Sequence, residues 1–242
     1  MPHLPLSVVE TKRVALTCVV TLSLCVLSLA GSHGQEAPSA PPPRVEKIGP
    51  NLLRLGQVRV DTQAREVSVS GHINDVTLLE WLANTVGGLK AYESAISADT
   101  DAVTFNTAML LIGLDRSHAP APTDRFDQFM PSGDPVELWV EWNERSQKQR
   151  VRAEQLILDM RTHTTFPQGV WVYTGSNFLP SAGYMAQLDG VLIGFVHSPS
   201  PIIENPSPSA VGAYGSVVLN KELVAPGTPV TLIVRALPLS SH

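Results

Sequence analysis

The chain has 242 residues, with 17 Lys and Arg against 22 Asp and Glu, a formal net charge of −5 and only two cysteines. Both cysteines, Cys18 and Cys25, stand in one apolar run, Val14–Ala30, so a chain cleaved after that run has no disulfide framework, no thiolate nucleophile and no cysteine-held zinc or iron–sulfur centre. The acidic balance also argues against nucleic acid as a partner, because that affinity rests on clustered Lys and Arg that release counterions from phosphates.

Lys12 and Arg13 precede the apolar stretch VALTCVVTLSLCVLSLA, and Ser28-Leu29-Ala30 supplies small residues at its end. Residues 1–30 therefore read as a signal peptide with cleavage expected after Ala30, which places the protein in the periplasm or cell envelope. At 17 residues the run sits at the lower limit for spanning a bilayer, so membrane contact is expected only through this segment, and only if it stays uncleaved. Leu24 before Cys25 and Thr17 before Cys18 do not fit lipid attachment. Removing Lys12, Arg13 and Glu10 with the signal leaves 15 basic and 21 acidic residues, a charge of −6. Gln35–Arg44, QEAPSAPPPR, favours extended backbone, and residues 31–44 read as a linker to one domain at 45–238.

Within that domain the apolar pattern is mostly of period two with turn residues between runs, which predicts strands. Gln57–Asp61 and Glu66–Gly71 flank a polar turn and predict a hairpin. Two segments read as helices: Val76–Val86, with Asn74 or Asp75 as cap and Gly87-Gly88 as stop, and Ala102–Leu114, capped by Asp101. The second places Phe105, Ala108, Met109 and Ile112 on one face, with Leu110 and Leu111 extending the apolar surface round. Val136–Trp142 alternates cleanly, with Glu137, Trp139 and Glu141 on one face and Val136, Leu138, Val140 and Trp142 on the other. Lys148-Gln149-Arg150-Val151-Arg152 is the one basic block and alternates like a solvated strand face. Further strands are predicted at Val151–Leu158, Gly169–Thr174, Tyr184–Leu188, Val191–His197, Ser216–Leu219 and Pro229–Ala236. Two long connections, Arg116–Pro135 and Ser198–Gly215, are rich in Pro, Ser and Ala. The fold class expected is α+β, predominantly antiparallel strands with two packed helices in a single domain.

The segments VRVDTQAREVSVSGHIN, LEWLANTVGGLKAYES, AMLLIGLD, GDPVELWVEW, WVYTGSNF, DGVLIGFVHSPSPIIENP and GTPVTLIV occur in this order over nearly all of residues 45–236. As a set they resemble the YdjY-type domain of exported bacterial proteins, a family of uncharacterised function that carries a ferredoxin-like label. A four-iron cluster needs four thiolates and the mature chain has none, so an iron–sulfur role is rejected here. The resemblance implies two further departures. Relatives read Lys-x-His-Glu-Ser where this chain has Lys90-Ala91-Tyr92-Glu93-Ser94, and they carry a His on the following helix where this chain has Asn106.

No two of the seven histidines stand at the spacings that bring two imidazoles onto one metal. His72 and His197, each closing a predicted strand, are the remaining metal candidates. Asp99 and Asp101 sit two apart, but the oxygen-rich loop that calcium requires is absent, and capping is the expected role of Asp101. Glu137 and Glu141 flank Trp139 on one strand face. Four residues at roughly 3.3 Å each separate their backbones by about 13 Å, beyond the roughly 5–9.5 Å of paired glycosidase carboxyls, so the trio reads as a binding surface rather than a cleavage site. Phosphate-binding loops, dinucleotide-binding loops and a nucleophile elbow are all missing. Lys90–Ser94 is the remaining chemical candidate, read as an extended strand with Lys90, Tyr92 and Ser94 on one side and Glu93 on the other.

The expectation is a non-catalytic binding or interaction domain without a cofactor, its partner an envelope protein or a small ligand, met near Trp139 or the Ser198–Gly215 connection. The rival is an envelope enzyme or redox accessory protein with a site built from Tyr92, Glu93 and Asn106, joined by His72 or His197.

Overall fold

In a computed structural model, which describes residues 43–118, 130–207 and 215–239 of the unit Pro41–His242, the long alternating segments are strands. The signal peptide, the linker up to residue 42 and the middle parts of both long connections lie outside the described residues. The chain opens with a meander of β1 (Glu46–Lys47), β2 (Leu52–Leu55), β3 (Val58–Asp61) and β4 (Glu66–Ile73). Next come β5 (Trp81–Thr85), β6 (Ser94–Ala98), helix α1 (Ala102–Leu111), β7 (Asp134–Glu144) and β8 (Gln147–Arg152). After these follow β9 (Ile157–Asp159), β10 (Thr164–Thr165), β11 (Trp171–Tyr173), β12 (Phe178–Leu179) and β13 (Gly183–Tyr184). The chain finishes with helix α2 (Met185–Asp189), β14 (Val191–Gly194), β15 (Ile203–Glu204), β16 (Val217–Leu219) and β17 (Pro229–Ala236).

Eight of these strands close on themselves. Hydrogen bonding runs β4, β17, β7, β11, β15, β14, β5, β6, and β6 returns to β4 through Gly71–Ala98, His72–Ser97 and Ile73–Ile96. This corrects the expected α+β class: among the described residues the protein is mostly β, a closed eight-stranded barrel with two helices, one of them five residues long. Closure removes sheet edges, and a barrel of this size fills its interior with side chains. Val67 and Val69 of β4, Leu232 and Val234 of β17, and Leu138 and Val140 of β7 are cross-strand neighbours and fully buried. Gly71 is required where the ring closes, because a Cβ there would stand 2.4 Å from the Ser97 carbonyl oxygen and 3.0 Å from Ala98 Cα.

Helix α1 forms where expected, with the Asp101 carboxylate accepting from the Thr104 N–H at 2.8 Å. It buries Phe105, Ala108 and Met109 and packs on β3, β14 and α2. Leu110 points outward, 48 % exposed, so the helix is covered on one side rather than all round.

Four sequence expectations fail for identifiable reasons. The helix expected at Val76–Val86 is an irregular segment followed by β5; all five residues of β5 are buried, and a short apolar run covered on both faces has no periodicity that separates strand from helix. Tyr184–Leu188, expected as a strand, is the last residue of β13 and most of α2. The single strand expected over Val151–Leu158 is broken by a 3-10 turn, Ala153–Leu156, which redirects the chain from β8 to β9. Lys90–Ser94 is not extended either: Ala91–Glu93 is a 3-10 turn. The Ser198–Gly215 connection is also more than a loop, since it carries the barrel strand β15.

Two parallel pairs shape one side of the barrel, β5 with β6 and β14 with β15. Parallel neighbours need a crossover, commonly a helix of a dozen or more residues. Here only Val86–Glu93 and Phe195–Ile202 make the return. Eight residues can cover the roughly 13 Å back along β5 only as a loop with little regular structure. Among the described residues no helix is long and apolar enough to cross a membrane.

Candidate functional site

The Val86–Glu93 crossover and the irregular segment before β5 form the two sides of a groove of about 660 Å³, lined by Asp75–Glu80, Tyr92, Glu93 and Gly215. Its backbone is pinned at several points. Glu80 N–H donates to the Glu93 carbonyl at 2.9 Å and Leu79 N–H to the Val217 carbonyl at 2.8 Å. The Asn74 amide donates to the Ser94 carbonyl at 2.9 Å and accepts from the Ser97 hydroxyl at 2.9 Å. The Ser94 hydroxyl donates to the Lys90 carbonyl at 2.7 Å, which holds the 3-10 turn.

These anchors set Tyr92 and Glu93 on a 3-10 turn, not on the extended strand expected, and both line the groove. The Glu93 carboxylate accepts from the Trp81 indole N–H at 3.2 Å, and the same oxygen faces the Lys90 ammonium at 2.8 Å. Lys90 Nζ also lies 3.4 Å from the Tyr92 hydroxyl and 5.7 Å from its ring centroid. Partial burial pulls the Lys90 pKa down, but the hydrogen bond and charge of Glu93 outweigh it and hold the group above the ordinary lysine value. Of the groove's lining residues Leu78 is 51 % exposed and Tyr92 67 % exposed. Apolar side chains, one aromatic ring and several carboxylates therefore share a concave surface.

Asn106 stands elsewhere, on α1, where its side-chain oxygen accepts from the Tyr173 hydroxyl at 2.8 Å. Burial pushes Tyr173 up to about 12, so this phenol is a hydrogen-bond donor and not an acid near neutral pH. Tyr184, whose pKa burial also raises, donates to the Gly175 carbonyl at 3.2 Å beside it. His72 is exposed on β4. His197 is buried, with Nε2 donating to the Asn205 carbonyl at 3.0 Å. No group of three His, Cys, Asp or Glu converges as a metal site among the described residues.

The Trp139 face takes a different form. Glu137, Trp139 and Glu141 do share the outer face of β7. Each carboxylate already meets a cation from β8: Glu137 with Arg152 at 3.2 Å, and Glu141 with Lys148 at 2.7 Å and Arg150 at 3.3 Å. The Trp139 ring lies against the Arg150 and Arg152 guanidiniums, 4.9 and 5.3 Å from its centroid. Arg152 reaches on to Glu154, whose buried carboxylate also accepts from the Gly169 N–H and the Trp171 indole, each at 3.1 Å. The trio is a knot of paired charges over a stacked ring.

One pairing had no sequence signal. Asp134 opens β7, is buried, and accepts from His118 Nδ1 at 2.5 Å and from the Asp115 N–H at 2.8 Å. The hydrogen bond to Asp134 raises the His118 pKa. Sixteen residues separate the two, with no helical or strand periodicity to join them. A second concavity, of about 440 Å³, is lined by Thr85–Leu89, Asp99–Asp101, Gln187, Leu188 and Gly190; Asp101 is engaged there as the α1 cap.

The family model described as the YdjY domain matches residues 58–235. No curated protein matches the chain, and no solved structure does.

Proposed function

The chain belongs to the YdjY domain family, and from that premise we propose that it is an exported, non-catalytic binding domain whose ligand occupies the groove at Tyr92. The observation that carries this reading is that two exposed side chains, Tyr92 and Leu78, line one concave surface of about 660 Å³. Ligand sites are concavities of roughly 300–1,000 Å³ with apolar walls and a few placed polar groups, and large apolar side chains left in water beside such a concavity mark a surface meant to be covered. The outer face at Trp139 supports binding less well, because its ring and carboxylates already satisfy one another. Export is supported by the basic, apolar and small-residue order of residues 12–30.

Two measurements test the reading. The intact mass of the protein recovered from the periplasm is expected to begin at Gly31; recovery only from the cytoplasm overturns export. Mass spectrometry of small molecules and proteins released from the purified chain is expected to find a species retained by the wild type and lost from Leu78→Asp. That species should return chemically unchanged after incubation. Its conversion would replace the binding reading with an enzymatic one.

A further inference from the structure

Every carboxylate that lines the groove already has a partner. Asp75 is paired with Lys221 at 2.8 Å. Glu93 meets the Lys90 ammonium at 2.8 Å and accepts from the Trp81 indole N–H at 3.2 Å. Glu80, which is buried, is engaged as well. Neither lysine is part of the lining. What the lining leaves unsatisfied is of another kind: the exposed side chains of Leu78 and Tyr92, next to the buried Val76 and Leu79, and the Tyr92 hydroxyl, whose oxygen accepts from Lys90 at 3.4 Å while its own proton has no acceptor among the described residues. An ion of either sign gives up its water on entering such a groove and gains a counter-ion only by breaking a pair that already exists. An uncharged apolar molecule covers Leu78 and Tyr92, frees their water and leaves every pair intact.

Resting on the reading of the groove as the ligand site, we infer that its ligand is an uncharged, mainly apolar small molecule bearing a carbonyl or ether oxygen, with the apolar body on Leu78 and the Tyr92 ring and the oxygen accepting from the Tyr92 hydroxyl. Selectivity is then set from outside the lining, by the lysines that balance its carboxylates. The consequence has a distinctive sign: removal of Lys90 leaves Glu93 without its counter-ion and turns the groove towards cations, although Lys90 is not itself a lining residue.

The test is titration of the purified protein with three probes of one shape and different charge, 4-phenyl-2-butanone, 4-phenylbutan-2-amine and 3-phenylpropionate, followed by the NMR shifts of the Leu78 methyl groups. The ketone is expected to bind roughly tenfold more tightly than either ion, the scale of one charge desolvated without a new partner. Tyr92→Phe, which keeps the ring, is expected to weaken the ketone roughly two- to tenfold, as loss of one hydrogen bond does. Lys90→Met is expected to tighten the amine roughly three- to tenfold and leave the ketone within about twofold, with Lys221→Met, which frees Asp75, as a second variant of the same sign. An ion that binds the wild type as tightly as the ketone overturns the uncharged class and leaves the groove reading standing, as do lysine variants whose affinity for the amine does not rise. Unchanged ketone binding by Tyr92→Phe overturns the hydrogen bond assigned to the phenol. Failure of all three probes also overturns the class; the groove reading is then decided by the co-purification experiment, which does not depend on ligand charge.

Discussion

The barrel has two unlike arcs. In one, β4, β17 and β7 are 8, 8 and 11 residues long, bury one face and show the other to water. That outer face is closed by its own side chains: Glu66 with Arg235 at 2.7 Å, Glu137 with Arg152, Glu141 with Lys148 and Arg150. In the other arc, β11, β15, β14, β5 and β6 have 3, 2, 4, 5 and 5 residues, every one of them buried. Short strands paired in parallel need crossovers, and the Val86–Glu93 crossover leaves Val86, Leu89 and Tyr92 more than half exposed. A wall whose surface groups satisfy each other is sealed, whereas a wall built on short crossovers leaves apolar groups and concavities unfilled. The groove belongs to the second kind of wall.

The contrast can be broken most forcefully at Glu154, the buried anion under the sealed face. Glu154→Ala leaves the Gly169 N–H and the Trp171 indole without their acceptor and Arg152 with Glu137 as its one carboxylate partner, and is expected to cost about 3–5 kcal/mol in urea unfolding. A loss below about 1 kcal/mol would mean that the knot is decoration. The seam between the arcs is probed by Gly71→Ala. With the Ser97 carbonyl 2.4 Å from the new Cβ, the β4–β6 pairing must open, at a cost of about 1–3 kcal/mol read as a lower Tm. A neutral Gly71→Ala would place the barrel closure elsewhere.

The two aromatic residues sharpen the comparison directly. Trp139→Ala, which removes a ring stacked on two guanidiniums, is expected to cost about 1–2 kcal/mol and leave ligand retention intact. Tyr92→Ala is expected to change stability by no more than about 0.5 kcal/mol and to abolish ligand retention. Unfolding curves paired with the release assay check both, and a reversed pattern would move the site to β7.

The smallest expected effect concerns the connection between α1 and β7. Hydrogen bonding to Asp134 raises His118 above its ordinary value of 6.5. Stability from this contact is therefore complete below about pH 6.5 and fades as pH rises through the higher folded-state value. His118→Gln is expected to flatten the Tm profile in that range; an unchanged profile would show that the pairing contributes nothing in solution.

What the sequence reveals follows the same division only in part, since β11 and β14, wholly buried, fall inside the strands expected at Gly169–Thr174 and Val191–His197. Alternation predicts β17 at Pro229–Ala236, and it marks β3, β4, β7 and β16, because one wet face gives period two its contrast. β5 and β6 escape because burial on both faces leaves them without the alternation that separates a strand from a helix. β15 was hidden among prolines and serines. The site was half legible. Tyr92 and Glu93 are adjacent in the chain and had to be neighbours, but that Leu78 and Tyr92 line one groove, that Trp81 holds Glu93, and that Asn106 serves Tyr173 instead depend on contacts between distant segments.

By itself, then, the sequence determined the β-rich character, the membership of a family, the capped helix after Asp101 and the charge facing water, since all of these arise from local periodicity, composition or residues close together in the chain. Only the tertiary structure decided that the sheet closes, that two parallel pairs return through short crossovers, and that Tyr92 and Glu93 line one groove with Asp75–Glu80. Closure turns on which strand edges meet, and burial on both faces erases the pattern by which a strand announces itself.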